Sequence, residues 1–206
     1  MIKAKHHWFL YPCLVEYGWI RMRIHFNKIA MSGTIASAHR PFLVIANHFS
    51  WWDGFFIASL NKKKFHKRLH IMMEEKQLRE NKILNYGGIF SIRKFSRDEI
   101  RSLLYSVELL KNPENMVGLF PQGKFESSYQ HPLHFEKGLC WILKKVQNEI
   151  QVVFVANQVE YFDSVKPNLF CYYKDYDPSG KSPSDIEKEY NRFFESCYKK
   201  NRLKKN

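Results

Sequence analysis

Short apolar runs alternate with longer stretches whose apolar residues recur at helical spacing. The short runs predict buried strands, because they are bounded by turn residues and are too short for typical helices. They span residues 42–45, 69–73, 89–92, 116–120, 152–156 and 169–173. The longer stretches predict helices over residues 54–60, 74–86, 97–110 and 135–146, and over a last segment carrying Ile186, Tyr190, Phe193, Phe194 and Cys197. Strands that alternate with helices predict an α/β fold, with a mostly parallel sheet flanked by helices.

The first 30 residues follow a different pattern. Their apolar run, residues 8–20, is interrupted by Pro12 and is shorter than the roughly 20 residues that span a bilayer. The spacing predicts an amphipathic helix, kinked near Pro12, with one apolar face: Trp8, Tyr11, Val15, Trp19, Met22 and Phe26. Such a face suits a membrane interface, and the alternative is packing against the protein's own domain. We therefore divide the chain into an N-terminal interfacial helical segment, residues 1–30, and a single α/β domain, residues 31–206.

The charge of the chain predicts an anionic partner. Lys and Arg together number 33 against 20 Asp and Glu, giving a net charge of +13, and residues 62–68 form a concentrated basic segment. Nucleic acid, phospholipid headgroups and an acidic carrier protein are all candidates. The sequence lacks the aromatic–basic and Gly-x-x-Gly signatures of common RNA-binding modules, so we expect no nucleic acid. A mean hydropathy of -0.45 argues against several membrane spans.

The four cysteines are far apart and form no Cys-x-x-Cys pair. This spacing predicts neither a metal site nor a disulfide framework, and it favours reduced thiols in a cytoplasmic protein.

One polar pair stands between a predicted strand and a predicted helix. His48 and Asp53 follow the apolar run 42–45, at the strand end where open α/β sheets place their ligand sites. On an ideal helix, residues five apart point about 140° away from each other, so the chain must turn for Asp53 to reach His48. In contact, they would form an oriented general base. The spacing alone is common by chance, and its significance depends on the rest of the chain.

Four blocks resemble, in order and in approximate spacing, the glycerolipid acyltransferase family that contains the bacterial lysophosphatidate (1-acylglycerol-3-phosphate) acyltransferases. Residues 47–53 are similar to its Asn-His-x-x-x-x-Asp block, and residues 88–93 to its glycine followed by an apolar strand ending in arginine. Residues 120–123 resemble its Phe-Pro-Glu-Gly, and residues 135–138 its Phe-x-x-Gly. The resemblance covers roughly residues 40–160.

The resemblance implies the roles of the site residues. His48 would be the general base that takes the proton of an acceptor hydroxyl, oriented by Asp53, so that no serine or cysteine nucleophile is needed. Backbone N–H groups near residues 122–123 are expected to stabilise the thioester oxygen. The acyl donor would be acyl-CoA or acyl carrier protein, a substrate, with no resident cofactor or metal. The residues expected to bind substrate are Arg93, Gln122, Gly123 and Lys124.

The chain also departs from the family pattern. Gln122 stands where glutamate is usual, and Lys124-Phe125 replaces the usual Thr-Arg. The expected reaction is acyl transfer to a hydroxyl of a lysophospholipid or related lipid, at the cytoplasmic face of a membrane by peripheral or monotopic attachment. The departures leave two alternatives open. One is transfer to an acceptor without a phosphate, such as a glycolipid or a lyso-aminolipid. The other is a lipid-binding protein without activity.

Overall fold

The computed structural model describes residues 1–36, 39–146 and 150–204, so residues 37–38, 147–149 and 205–206 of the predicted domain lie outside it. Within these ranges the strands are β1 (Lys28–Thr34), β2 (Phe42–Ala46), β3 (Arg68–Glu74), β4 (Ile89–Ile92), β5 (Asn115–Leu119), β6 (Gln151–Glu160) and β7 (Asn168–Tyr176). The α-helices are α1 (Leu10–His25), α2 (Asp53–Leu60), α3 (Glu75–Glu80), α4 (Arg97–Leu109), α5 (Lys137–Val146) and α6 (Pro183–Arg202). A π-helical turn covers Asn61–Phe65, and a 3-10 helix covers Lys82–Tyr86.

The strands form one seven-stranded sheet in the order β1-β7-β6-β2-β5-β3-β4. Strands β6, β2, β5, β3 and β4 are parallel neighbours, whereas β7 is antiparallel to β6 and carries β1 parallel to itself at the far edge. The predicted α/β fold with a mostly parallel sheet is confirmed. Because β2, β5, β3 and β4 share one direction, the segments that follow them all emerge at the same carboxyl edge.

The core lies on both faces of the sheet. All five residues of β2 are buried, which explains its uninterrupted apolar sequence. Leu43 and Ile45 pack on the face covered by α4, α5 and α6. The alternate residues Phe42, Val44 and Ala46 pack on the opposite face, together with side chains of α2 and α3. Because successive side chains of a strand point to opposite faces, the single strand β2 contributes side chains to the core on each face of the sheet.

The N-terminal segment differs from the prediction in three ways. The helix begins only at Leu10, so Pro12 lies in its first turn, where a missing N–H costs nothing, and the helix has no reason to bend there. It ends at His25, and Lys28 already belongs to β1. Sequence reasoning missed β1 because this edge strand is largely exposed and carries few apolar residues.

Helix α1 is apolar on two opposite sides. The predicted apolar face points inward: Met22 and Phe26 are buried, and Tyr11, Val15 and Trp19 are partly buried. Our prediction that this face is free to meet a membrane is therefore wrong for most of it, since it packs on α2 and the domain. A second stripe faces outward, in which each of four large apolar side chains is more than half exposed: Phe9, Tyr17, Ile20 and Ile24.

Among the described residues, none of the helices is both long and apolar enough to cross a bilayer.

The predicted helix over residues 74–86 is also interrupted. Glu74 ends β3, α3 stops at Glu80, and the 3-10 helix follows. The Asn81 side chain donates to the carbonyl of Gln77 at 3.0 Å, so this residue satisfies a carbonyl at the end of α3. A local side-chain bond of this kind competes with helix continuation, which apolar periodicity does not report.

Gly18 fixes how closely α1 approaches α2. A Cβ atom at this position would lie 2.5 Å from Cδ1 of Phe55. We expect Gly18→Leu to lower the unfolding free energy by about 1–3 kcal/mol, because overpacking forces the two helices apart. Urea unfolding followed by circular dichroism measures this change. The matched control is Gly54→Ala in α2, where nothing lies within 4 Å of the added atom, and which should lose no stability. Equal losses in both variants would contradict the close contact.

Candidate active site

The turn between β2 and α2 is anchored at its first residue. The Asn47 side chain donates from Nδ2 to the carbonyl of Asn157 at 2.9 Å, and its Oδ1 accepts the Asn157 N–H at 2.8 Å. Asn157 lies on the neighbouring strand β6. The side chain of Asn47 therefore continues the sheet one residue beyond β2 and fixes where the following turn begins.

His48 and Asp53 are in direct contact. His48 Nδ1 lies 2.8 Å from Asp53 Oδ2, and the same oxygen accepts the backbone N–H groups of Phe49 and Ser50 at 2.8 and 2.9 Å. The Asp53 side chain is fully buried at the first residue of α2. The turn that sequence reasoning required is thus present, and one carboxylate both folds it and holds the imidazole. Because Nδ1 donates to the carboxylate, Nε2 of the neutral ring is left as a proton acceptor.

Ser50 has a local role within this turn. Its hydroxyl donates to Asp53 Oδ1 at 3.3 Å and accepts the Trp52 N–H at 3.1 Å. This supports the interpretation of Ser50 as a residue that shapes the start of the helix rather than as a nucleophile.

Two phenyl rings contact the imidazole of His48. The Phe120 ring is stacked on it, with centroids 4.0 Å apart and planes 12° apart. The Phe125 ring lies 4.2 Å away, tilted by 40°. With its side chain only 18% exposed, His48 is held by these rings and by Asp53 in one orientation at the wall of a cavity.

Gln122 is bound to the backbone of His48. Its Oε1 accepts the His48 N–H at 2.7 Å, and its Nε2 donates to the His48 carbonyl at 3.3 Å. An amide can do both, whereas a carboxylate could only accept. This buried side chain therefore positions the turn that carries His48. The expected direct contact with substrate stays a prediction for Gln122.

Gly123 occupies a crowded, left-handed position. Its φ is +63°, and a Cβ atom would lie 2.4 Å from Lys94 Nζ and 2.9 Å from Glu136 Cγ. Its N–H donates to the carbonyl of Phe120 at 3.1 Å. Our expectation that this N–H serves the thioester oxygen is wrong in this conformation, because the tight turn already uses it.

The three cations near the site each have a carboxylate partner. Arg93 contacts the buried Glu75 at 2.5 Å and Asp98 at 3.8 Å. Lys124 lies 3.5 Å from Glu126, and Lys94 lies 3.4 Å from Glu136 while donating to the Gly123 carbonyl at 2.7 Å. Arg93, Gly123 and Lys124 thus line the rim of one cavity, and each of the two cations is paired with a carboxylate. Their expected contact with substrate stays a prediction.

Sequence reasoning missed the residues that hold this rim together. Glu75 was placed inside a longer predicted helix, although a carboxylate directly after a strand end is a recognisable signal. Lys94 follows Arg93 directly, and its position at the carboxyl end of β4 could have suggested a role. Phe125 was noticed only as a departure from the family pattern, since nothing in the sequence shows that its ring reaches His48.

The basic segment at residues 62–68 lies elsewhere. It follows α2 and enters β3, at the amino edge of the sheet, whereas His48 follows the parallel strand β2 at the carboxyl edge. Lys62 pairs with Glu16, and Lys63 Nζ lies 4.6 Å from the centroid of the Trp19 ring, both on α1. The basic segment therefore does not lie beside His48, and its contact with an anionic partner stays a prediction.

A cavity of about 1080 Å³ opens beside His48. It is lined on the α1–α2 side of the sheet by Leu14 and Ala58, among others, and on the α4–α5 side by Leu103 and Leu139. Its size lies at the upper end of the roughly 300–1,000 Å³ that is usual for one small ligand. The walls are largely apolar and the rim is charged, an arrangement suited to a long hydrocarbon chain with a polar end.

The candidate site is thus a hydrogen-bonded pair of a partly buried His48 and a fully buried Asp53, at the carboxyl edge of a mostly parallel α/β sheet and beside an apolar cavity. The sequence model of the Acyltransferase family matches residues 28–165, from the first residue of β1 into the β6–β7 connection. The chain belongs to this family, which contains the lysophosphatidate acyltransferases. The resemblance seen in the sequence is confirmed. No curated protein shows significant similarity to the chain.

The ion pair of Glu75 generates a prediction about stability. Hydrogen bonds from Arg93 and then from Arg79 lower the pKa of Glu75 from 4.5 to about 2. A carboxyl whose pKa falls on folding stabilises the protein above its unfolded pKa, and this contribution is lost as the pH falls towards the folded value. We expect Glu75→Gln to lower the unfolding free energy at pH 7, and the difference from wild type to shrink between about pH 4.5 and 2.

Urea unfolding at a series of pH values measures this difference. The control is Glu80→Gln, an exposed residue at the end of α3, which should show little difference at any pH. A difference for Glu75→Gln that stays constant with pH would mean that packing, rather than the charge, is responsible.

Proposed function

We propose that this protein transfers a fatty acyl group from an acyl thioester to a hydroxyl of a lysophospholipid or related lipid. The observation that carries the proposal is the His48–Asp53 contact of 2.8 Å, at the wall of an apolar cavity, in a chain of the Acyltransferase family. The apolar walls on both faces of the sheet give room for the acyl chain of the donor and for that of the acceptor.

The chemistry needs one base and no covalent intermediate. The acceptor hydroxyl gives its proton to His48 Nε2 while its oxygen attacks the thioester carbonyl carbon. The C–O bond forms, the C–S bond breaks, and the proton passes from Nε2 to the departing thiolate sulfur. Asp53 keeps Nδ1 protonated and stabilises the imidazolium between these steps. The two phenyl rings exclude water and hold the ring plane.

The donor is acyl-CoA or acyl carrier protein, both of which carry phosphate on the segment that bears the thiol. The rim cations Arg93, Lys94 and Lys124 lie where such a segment would enter the cavity. Lys124 and Glu136 are exposed, so the pairs Lys124–Glu126 and Lys94–Glu136 are screened by solvent. Such pairs are worth only about 0–1 kcal/mol, and a donor phosphate can compete for their cations. Arg93 is held more firmly, by the buried Glu75.

Attachment to an anionic membrane, peripheral or monotopic and at its cytoplasmic face, completes the proposal. It rests on the outer stripe of α1, where Phe9, Tyr17, Ile20 and Ile24 are each more than half exposed, and on the net charge of +13. Exposed apolar side chains at helical spacing, with basic residues beside them, are typical of interfacial helices. The membrane would also supply the lipid acceptor.

The central prediction concerns His48 and Asp53. We expect His48→Ala to lower kcat by about 10²–10⁴-fold, the usual contribution of a general base, without loss of folding. Asp53→Asn should also lose most of the rate, because an amide can donate to Nδ1 and so favour the wrong tautomer. Thiol release from acyl-CoA and from acyl carrier protein, measured with a panel of lysolipids, gives the rates.

Two comparisons make this test decisive. Ser50→Ala removes a nearby hydroxyl that is not the base and should keep most of the activity. A His48→Ala protein that transfers at nearly the wild-type rate would exclude the mechanism. A wild-type protein that binds lipids but never releases thiol would favour the lipid-binding alternative.

The second prediction concerns the membrane. We expect the wild-type protein to float with vesicles containing anionic lipid, and to float less at high salt. Ile20→Glu and Ile24→Glu should each weaken binding by about tenfold or more, since each removes a side chain whose burial is worth roughly 1.5–3 kcal/mol. Leu203→Glu, at a still more exposed apolar position just after α6, is the control and should bind nearly as wild type does. If the wild type remains unbound at low salt, the membrane proposal fails.

A further inference from the structure

The catalytic imidazole lies between two phenyl rings. Phe120 is nearly parallel to it at 4.0 Å and so covers one face of the ring. A second ring with its centroid at 4.2 Å is too close for an edge contact within the imidazole plane, so Phe125 covers the other face. Any acceptor whose hydroxyl reaches Nε2 must therefore bring its neighbouring carbons against these rings.

The position of Phe125 is fixed by the backbone on both sides. The Glu126 N–H, directly after it, donates to the His48 carbonyl at 3.0 Å. On the other side, the Gln122 amide binds the N–H and the carbonyl of His48. The segment 122–126 is thus hydrogen-bonded to the His48 backbone at both of its ends, which holds the half-exposed ring of Phe125 beside the imidazole.

The charges around this point are nearly balanced. Arg93, Lys94 and Lys124 each have a carboxylate within 4.0 Å, from Glu75 or Asp98, Glu136 and Glu126 respectively. A phosphate placed beside the reacting hydroxyl would lose water against the phenyl rings, and it would gain a cation only by displacing one of these carboxylates or the phosphate of the donor. Burying an uncompensated charge is strongly unfavourable, whereas an uncharged group has no such cost.

We propose that Phe125 is a specificity-determining residue, which makes the site select a lipid acceptor that is uncharged next to its reacting hydroxyl. This inference rests on the proposed acyl transfer and narrows its acceptor. Monoacylglycerols and monoacylated sugars have the required chemistry. In a lysophosphatidate, by contrast, the phosphate is attached to the carbon beside the one that bears the hydroxyl, within reach of the Phe125 ring.

The test compares two acceptors that differ only in the phosphate. Full-length protein is assayed with an acyl thioester and either a 1-monoacylglycerol or the 1-acylglycerol-3-phosphate of the same chain length, in uncharged detergent micelles. We expect wild type to have a kcat/KM at least tenfold higher for the monoacylglycerol. Phe125→Arg should reverse this preference by placing a cation beside His48, and Phe125→Ala should reduce it.

The matched control is Phe95→Arg. Phe95 lines the same cavity rim but is 99% exposed, so this variant adds the same side chain and the same charge away from His48. Its preference should stay within about threefold of wild type. A wild-type preference for the phosphate acceptor would overturn the proposal, as would an equal shift by Phe95→Arg and Phe125→Arg.

Equilibrium binding separates this proposal from the proposed function. Fluorescently labelled forms of the same two lipids are titrated into wild type, Phe125→Arg and Phe95→Arg. Tighter binding of the uncharged lipid, reversed only by Phe125→Arg, would support the selectivity even if no transfer were found. Tighter binding of the phosphate lipid by wild type would overturn it whatever the activity.

Discussion

The buried carboxylate of Asp53 is the group on which the carboxyl edge of the sheet around His48 depends. One oxygen, Oδ2, accepts hydrogen bonds from the His48 ring and from two successive backbone N–H groups. A buried carboxylate is stable only when such donors surround it, so the turn cannot open without leaving the charge unpaired. The same bonds that close the turn therefore fix the orientation of the imidazole, so the fold of the turn and the geometry of the candidate site are set by one carboxylate.

The second constraint is that the segment after β5 is hydrogen-bonded to the turn after β2. Gln122 and Glu126 both bind the backbone of His48, across the boundary between β2 and β5. These hydrogen bonds hold the two segments together, and Phe120 and Phe125 therefore contact the imidazole of His48. Gly123 permits this tight path, because its positive φ and the nearby Lys94 leave no room for a side chain. The imidazole of His48 is therefore held by two aromatic contacts as well as by the carboxylate of Asp53.

Helix α1 links the catalytic domain to its surroundings. Its inner side meets α2 at Gly18, and its outer side exposes a stripe of large apolar residues. When a helix is apolar on two opposite sides, the two sides cancel in its net amphipathicity. Each side is nevertheless stabilised when an apolar surface covers it. The domain covers one side. The proposed membrane surface would cover the other, next to the cavity wall that Leu14 and Val15 of the same helix form.

The sequence by itself determined the class of fold, the order of its main elements and the candidate pair His48 and Asp53. Fully apolar strands such as β2 and the His48–Asp53 spacing are local signals, readable because burial and turn formation act on neighbouring residues. Strand β1 was not readable, since an exposed edge strand is defined by its partner β7 rather than by its own pattern. Only the tertiary structure decided which side of α1 faces outward, that Arg93 is held by Glu75, and that Phe125 lies over His48. Each of these depends on contacts between residues far apart in the chain, which no local pattern encodes.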